Sequence, residues 1–192
     1  GITANLPTKS SDGKTLPEYQ LWCGMLERCY SENYQNRKPT YKGCSVSDNF
    51  KDYRYFKNWC ITQIGFNALD SVGRKFTLDK DILVKGNKIY SEDTCCFVPQ
   101  EINALLITCK SKRGEYPIGV SYDRSKVLPF QPTVSIDGKN HRLSRCATAE
   151  EAFYIYKQTK ENIIKSVAEK YKDLIDQRTY EALMNYQVEI TD

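Results

Sequence analysis

Three carboxylates and a lysine lie close together in the segment from Thr77 to Leu106, and their chemistry is the first indication of a function. Asp79 and Asp81 flank Lys80, so the two acids would share one face of an extended strand. Carboxylate oxygens are the ligands that hard cations such as Mg²⁺ prefer. The pattern indicates a candidate metal site at Asp79, Asp81 and Glu92. A solvated cluster of carboxylates paired with lysine is the alternative, and we favour it.

The segment that carries these residues is predicted to form two strands and a helix. The sequences TLDKDIL and DTCCFVP favour strands, and VKGNK between them is typical of a tight hairpin turn. The sequence VPQEINALL then has the character of a helix. We therefore expect Asp79 and Lys80 on the first strand, Thr94 at the start of the second strand and Asn103 on the helix.

The chain before this segment is predicted to be helical after an irregular start. Residues 1–17 show no apolar period and are expected to form a flexible arm. An amphipathic helix is predicted from Pro17. A second, aromatic helix is expected from a cap at Ser47 or Asp48 to a stop at Gly65.

The last part of the chain is predicted to contain three strands and a long helix. The strands are expected at residues 119–121, 130–134 and 139–145, with Asp137-Gly138 as a hairpin turn. Thr148 is a suitable cap for the helix, whose apolar residues recur at helical spacing. The fold class is therefore α+β, with a three-stranded antiparallel sheet packed on a helix.

The charge is small overall but unevenly distributed. The formal net charge is +4. Residues 113–147 carry six basic and three acidic side chains, a balance of +3, whereas residues 148–192 carry six and nine, a balance of −3. This asymmetry is compatible with a basic surface that faces a polyanion and a solvated acidic side.

The eight cysteines are expected to be reduced. No secretory leader is recognised at the N-terminus and no apolar run approaches the length of a membrane span, so a cytoplasmic protein without a membrane partner is expected. Buried free thiols are the default interpretation. The alternative is a structural zinc site formed by Cys29, Cys44 and either Cys95 or Cys96, although no Cys-x-x-Cys pair is present.

The middle of the chain resembles the HNH nuclease family, in particular its phage and mobile-element members of the homing-endonuclease type. The resemblance rests on LDK at 78–80, YSEDTCCFV at 90–98 and Asn103, with LWCGMLERCY and YKGCSVSDNFKDYRYFKNW upstream. It covers roughly residues 18–107 and implies a ββα module that binds and cuts double-stranded DNA. We accordingly expect a ββα module with a helical leader over residues 18–112.

The family's catalytic roles fall on Asp79, Lys80, Thr94 and Asn103. In the family a histidine on the first strand deprotonates water, an asparagine orients it, and a helix residue helps to hold a divalent metal. Lys80 stands at the histidine position and Thr94 at the asparagine position. Protonated lysine is a poor base, so the nuclease centre is expected to be degenerate, with Mg²⁺ as cofactor only if it is active. The chain's only histidine, His141, lies outside the segment, and we favour a structural role or a phosphate contact for it over that of the missing base.

Residues 113–192 resemble the APETALA/ethylene-response-factor DNA-binding domain, followed here by a helical tail. The resemblance rests on Gly119-Val120 and on TAEEA at 148–152, with Phe130 at the usual tryptophan position. In that family the exposed face of the sheet enters the major groove. The residues that the resemblance places against DNA are Ser121, Arg124, Lys126, Phe130, Thr133, Ser135, Asn140 and Arg142.

The sequence thus predicts a DNA-binding protein of phage HNH endonuclease type. One alternative is an active metal-dependent endonuclease that uses Asp79, Asp81 and Glu92. Another is a non-enzymatic phage protein that binds a host protein in the host cytoplasm, because the last 45 residues are acidic. An ordinary polar sheet face would look much like a DNA-binding one.

Overall fold

The computed structural model shows an α+β protein and describes residues 3, 5–107, 115–136 and 138–192. The chain divides into two compact units, Gly1–Gln100 with Asp173–Thr179 and Glu101–Lys172 with Tyr180–Asp192. The helices are α1 (Pro17–Tyr30), α2 (Glu32–Arg37), α3 (Asp48–Lys51), α4 (Tyr53–Thr62), α5 (Gln100–Leu106), α6 (Ala149–Lys170) and α7 (Gln177–Met184). The strands are β1 (Ser45–Val46), β2 (Thr77–Asp79), β3 (Ile89–Tyr90), β4 (Cys96–Val98), β5 (Val120–Tyr122), β6 (Phe130–Ile136) and β7 (Lys139–Arg142).

Helices α1, α3 and α4 build the core of the first unit. Helix α1 begins at Pro17 as predicted, because proline has no N–H to lose in the first turn of a helix. Trp22 on α1 is buried and donates its indole N–H to the carbonyl of Phe50 over 2.8 Å. Phe50 and Phe56, both fully buried, pack edge to face against each other.

The aromatic helix predicted from residue 47 to Gly65 is interrupted. Ser47 caps α3, as one of the two predicted caps. Asp52 then adopts an extended conformation and accepts the N–H of Arg54 over 2.8 Å. This side chain caps a new helix, α4, so a second N-terminus replaces the continuous helix.

The two strands predicted over TLDKDIL and DTCCFVP pair antiparallel as β2 and β4, but the connection between them is longer than the predicted tight hairpin. The turn at VKGNK exists, with Gly86 at φ +77° and the N–H of Asn87 on the carbonyl of Val84. The short strand β3, which follows this turn, was not predicted and pairs in parallel with β1. In chain order, β2, β4 and α5 still follow as strand, strand and helix.

The side chain of Asn87 holds the connection between β2 and β4 in place. Its amide donates to the carbonyl of Lys80 over 2.7 Å and to that of Ile89 over 2.6 Å. These bonds satisfy backbone carbonyls that a continuous hairpin ladder would have used. The long connection from β2 to β4 is therefore held by a side chain.

Part of the expected N-terminal arm has a defined shape. Lys9 and Thr15 form an antiparallel bridge, and the N–H of Ser10 donates to the carbonyl of Lys14 over 2.8 Å. Gly13 lies between them at φ +79°, a conformation that glycine adopts without steric cost. Residues 8–16 thus form a small hairpin that the sequence pattern did not indicate.

The second unit contains the predicted three-stranded antiparallel sheet and the long helix. The strand order is β5-β6-β7, and the third strand ends at Arg142, before the predicted residue 145. Val134 of β6 packs with Tyr156 of α6 and with Val188. Thr148 caps α6, and Glu151 completes a reciprocal capping box. The predicted turn at Asp137-Gly138 lies partly outside the described residues, since Asp137 is not among them.

Candidate functional site

Asp79 ends β2 and forms the first part of the candidate site. One carboxylate oxygen accepts the backbone N–H of Asp81 over 2.8 Å and that of Ile82 over 3.0 Å. Aspartate commonly turns the chain in this way, because its short side chain reaches the N–H two residues ahead. Asp81 therefore lies in a turn. The sequence had predicted that Asp81 shares a strand face with Asp79, and that prediction is wrong.

The pKa of the Asp79 carboxyl is raised to about 6. Burial is the larger cause, and the neighbouring carboxylate of Asp81 adds to it. The two backbone N–H bonds oppose the shift without cancelling it. A half-buried carboxylate beside a second one is a place where a cation would be stabilised.

Lys80 supplies a positive charge next to the carboxylate of Asp81. Its side chain is buried, and its Nζ lies 3.2 Å from Oδ2 of Asp81 and 5.9 Å from the centre of the Tyr90 ring. Tyr90 is itself buried, and burial raises the pKa of its hydroxyl. A buried ammonium group beside a carboxylate stabilises negative charge, but it cannot accept the proton of an attacking water while it is protonated.

Replacing Asp79 with Asn should stabilise the fold at neutral pH. Since the folded pKa is raised above the unfolded value of 3.8, this carboxyl favours folding below about pH 4 and loses that contribution as the pH rises to about 6. We expect Asp79→Asn to raise the free energy of unfolding at pH 7 by about 1–3 kcal/mol, with little gain at pH 3.5. Urea unfolding at both pH values measures the difference, and Asp93→Asn serves as an exposed control. A loss of stability that is the same at both pH values would contradict the prediction.

Glu92 is occupied by other partners in the structure. Its carboxylate accepts hydrogen bonds from the Asn49 amide over 2.5 Å, the Tyr55 hydroxyl over 3.1 Å and the Ser47 hydroxyl over 3.3 Å. Burial alone would raise its pKa, but these donors, with that of Asn49 the strongest, lower it. Glu92 thus ties its own loop to helices α3 and α4, whereas Asp79 and Asp81 are next to each other in the turn after β2.

Thr94 holds the loop before β4. Its hydroxyl donates to the carbonyl of Ile89 over 2.7 Å and accepts the N–H of Ser91 over 3.2 Å. The Ser91 hydroxyl lies 2.9 Å from the same oxygen. These contacts give Thr94 a role in loop geometry, and none of them joins it to Lys80.

Two further residues considered for a nuclease role are Asn103 and His141. Asn103 lies on α5, half-buried, and His141 lies on β7 with its side chain exposed. His141 pairs with Val134 in the sheet register. This places the histidine on a strand of the second unit, and its role stays a prediction.

The zinc alternative depends on cysteines, and those that the structure describes are free thiols. Six of them are buried, namely Cys29, Cys44, Cys60, Cys95, Cys96 and Cys146, whereas Cys23 is exposed. Burial raises the pKa of the Cys29 thiol to about 11, with the nearby Cys44 adding to it. Within the described residues, no group of three or more His, Cys, Asp or Glu side chains is arranged to hold a metal ion. Cys109 lies outside those residues.

A polar surface covers the sheet face opposite α6. Residues that face each other across antiparallel strands share a face, and the register pairs Ser121 with Gln131, Thr133 with Arg142, and Ser135 with Asn140. Val134 packs toward Tyr156, so this group lies on the other side of the sheet. We call it the outer face, defined by the residues Ser121, Thr133, Ser135, Asn140 and Arg142, with Gln131 buried beneath it.

Phe130 does not belong to the outer face. It lies four residues before Val134 on the same strand, so its side chain points to the helix side of the sheet. It packs there against Tyr116 and Tyr122, with ring centres 5.3 and 5.2 Å away. Strand alternation therefore puts Phe130 on the side of the sheet opposite Thr133 and Ser135, and its contact with DNA stays a prediction.

Arg124 and Lys126 lie in the loop between β5 and β6, and both are exposed. Sequence reasoning missed Gln131, which donates to the carbonyl of Leu143 over 2.5 Å and so ties β6 to the end of β7. It also missed Arg145, which follows β7 in the chain and donates to the carbonyl of Leu128 in that loop over 3.3 Å. Alternation from Thr133 would have placed Gln131 on the outer face, whereas nothing in the sequence indicates the partners of Arg145.

Comparison of the chain with protein-family models, with curated proteins and with solved structures found no match. Among the described residues, no helix has both the length and the apolar character required to cross a membrane.

Proposed function

We propose that this protein binds double-stranded DNA through the outer face of its three-stranded sheet. The observation that supports the proposal is the register, which gathers hydroxyl, amide and guanidinium groups on the face that α6 leaves open. Such groups hydrogen-bond to base edges and phosphates, and the major groove is wide enough to admit β-strands. The family resemblance of residues 113–192 points to the same docking mode.

The charges around this face favour a polyanion. Arg142 lies on the outer face, and Arg124 and Lys126 extend from the adjacent β5–β6 loop. The segment 113–147 carries a balance of +3. Phosphate contacts supply much of the affinity for DNA and make it depend steeply on salt.

Removing Arg142 should weaken DNA binding and flatten its salt dependence. We expect Arg142→Ala to cost about 1–3 kcal/mol if the guanidinium reads a base, and less if it meets a phosphate, in which case the slope of log K against log[salt] falls by about 1. Arg124→Ala should have the smaller effect expected for the loss of a phosphate contact. Gel-shift titrations at several salt concentrations measure both quantities.

The matched control is Lys165→Ala, which removes one positive charge from an exposed position on α6. Its affinity should stay close to that of the wild type. Equal losses in Arg142→Ala and Lys165→Ala would contradict the docking through the sheet. Absence of binding by the wild type at low salt would overturn DNA binding altogether.

We further propose that the Asp79–Lys80–Asp81 turn is a nuclease-type centre that lacks its general base. The order β2, β4, α5 and the resemblance of residues 78–103 support this view, and Lys80 stands where the family has its histidine. Such a chain would bind DNA and cut it very slowly or not at all.

Metal-dependent cleavage is the second candidate function, and the raised pKa of Asp79 beside Asp81 favours it. If this pair takes a divalent cation, Mg²⁺ or Mn²⁺ at millimolar concentration should raise the melting temperature. The increase should disappear in Asp79→Asn. Plasmid incubated with the protein and either metal then tests cleavage directly.

A further inference from the structure

The loop that joins β5 to β6 is rigidly built. The N–H of Asp123 donates to the carbonyl of Pro129 over 2.8 Å, which closes the loop at its base. The carboxylate of Asp123 accepts the N–H and the hydroxyl of Ser125 over 3.0 and 2.7 Å. The hydroxyl of Ser125 is the main reason why the pKa of Asp123 is lowered, so the carboxylate keeps these bonds in the physiological range.

Arg145, which is not part of the loop, contacts both ends of it. Its guanidinium lies 3.5 Å from the carboxylate of Asp123 and donates to the carbonyl of Leu128 over 3.3 Å. Both sides of the loop are thus fixed to one side chain. A loop held in this way presents its tip without a large entropic cost on binding.

The tip of this loop is an apolar side chain in full contact with solvent. Val127 is 99% exposed, more than any other large apolar residue among those that the structure describes. The next residue, Leu128, is 44% exposed and lines a groove of about 410 Å³ with Tyr154 and Ile155. Val127 is not part of that groove, so its methyl groups project away from the fold.

The surroundings of Val127 suit DNA. Arg124 and Lys126 are both exposed and lie within three residues of it, and the single acid of the loop, Asp123, is paired with Arg145. The loop emerges from the end of the sheet where Ser121 and Arg142 lie. The apolar tip therefore has basic side chains beside it and the proposed DNA-facing surface next to it.

We propose that Val127 contacts the C5-methyl group of a thymine in the major groove while Lys126 and Arg124 meet the flanking phosphates. The thymine methyl is the apolar group that the major groove offers for sequence recognition. Valine has no hydrogen-bonding group, and its branched side chain loses little rotamer freedom on binding. The inference rests on the proposed DNA binding and assigns the loop a part in sequence preference.

The test compares the wild type with Val127→Ser, which removes both methyl groups of the side chain and leaves a hydroxyl. Duplexes selected from a randomised library by the wild type should share a thymine that Val127→Ser no longer selects. Replacing each thymine of the selected site with deoxyuridine removes only the methyl group. At one position the wild type should then bind about fourfold more weakly, whereas Val127→Ser should bind both duplexes equally.

Val72→Ser is the control, since Val72 is also largely exposed, at 70%, and lies in a turn of the first unit. It should keep the sensitivity of the wild type to deoxyuridine. If the wild type binds duplexes but no uridine substitution weakens it, or if Val127→Ser keeps the same loss, the thymine contact is overturned while DNA binding stands. If the wild type binds no duplex, DNA binding itself fails, and the contact with it.

Discussion

The double variant Lys80→His, Thr94→Asn is expected to nick plasmid DNA with Mg²⁺ at least about a hundredfold faster than the wild type, which is the lower range of what a general base contributes. At position 80 the wild type places a buried ammonium group 3.2 Å from the Asp81 carboxylate. An imidazole there would take up a proton near neutral pH. Asparagine at position 94 would supply the amide that HNH nucleases use to orient the histidine.

The two single variants and a triple variant complete this experiment. Lys80→His alone should be weaker than the double variant, because nothing then orients the imidazole, and Thr94→Asn alone should stay inactive. Adding Asp79→Ala to the double variant should abolish the gain if Asp79 holds the metal. Thr94 anchors its loop through Ile89 and Ser91, so circular dichroism must first show that each variant is folded.

Two outcomes would contradict this account of the centre. Robust Mg²⁺-dependent cutting by the wild type, abolished by Asp79→Ala with the fold intact, would mean that the protein is a divergent nuclease. A folded double variant that binds DNA and remains inactive would mean that the turn after β2 is no nuclease-type centre. In either case the DNA-binding proposal is tested separately by gel-shift titration of Arg142→Ala.

The parts of the fold that were predicted correctly depend on local signals. Thr148 and Glu151 are three residues apart and form the reciprocal cap of α6, which the sequence alone indicates. The proline at the start of α1 and the strands of the second unit are also local features, since short connections join neighbouring antiparallel strands. Local chemistry was sufficient for these elements.

The parts that were not predicted depend on contacts between distant residues. The strand β3 pairs with β1, more than forty residues earlier in the chain, and no turn signal contains that information. Asn87 decides the path of the loop by binding the carbonyls of Lys80 and Ile89. An asparagine beside a glycine looks like a hairpin turn in sequence, and its second use as a bridge becomes visible only in three dimensions.

The candidate centre shows the same division. Asp79 and Asp81 could be placed together from sequence because only Lys80 separates them. The partners of Glu92 come from α3 and α4, through Ser47, Asn49 and Tyr55. The assignment of Glu92 as a metal ligand therefore stays a prediction, whereas its hydrogen bonds to α3 and α4 are observed.

Gly119 is expected to be the position in the second unit that least tolerates a side chain. It has φ +74°, and a Cβ atom placed there would overlap the ring of Tyr156. Tyr156 is buried in the core between β6 and α6, so its ring has little room to move. A substitution would combine left-handed backbone strain with overpacking.

Gly119→Ala should therefore lower the free energy of unfolding by about 3 kcal/mol or more. Gly138→Ala is a closely matched control, because Gly138 has the same φ of +74° but open space around its Cβ position. The backbone strain is then common to both variants, and the difference between them in urea unfolding reports the overlap with Tyr156. Because α6 supports the outer face from behind, Gly119→Ala should also weaken DNA binding, whereas Gly138→Ala should retain most of it. Equal destabilisation of the two variants would mean that Tyr156 can move aside and that the close approach of β5 to α6 is not required by the fold.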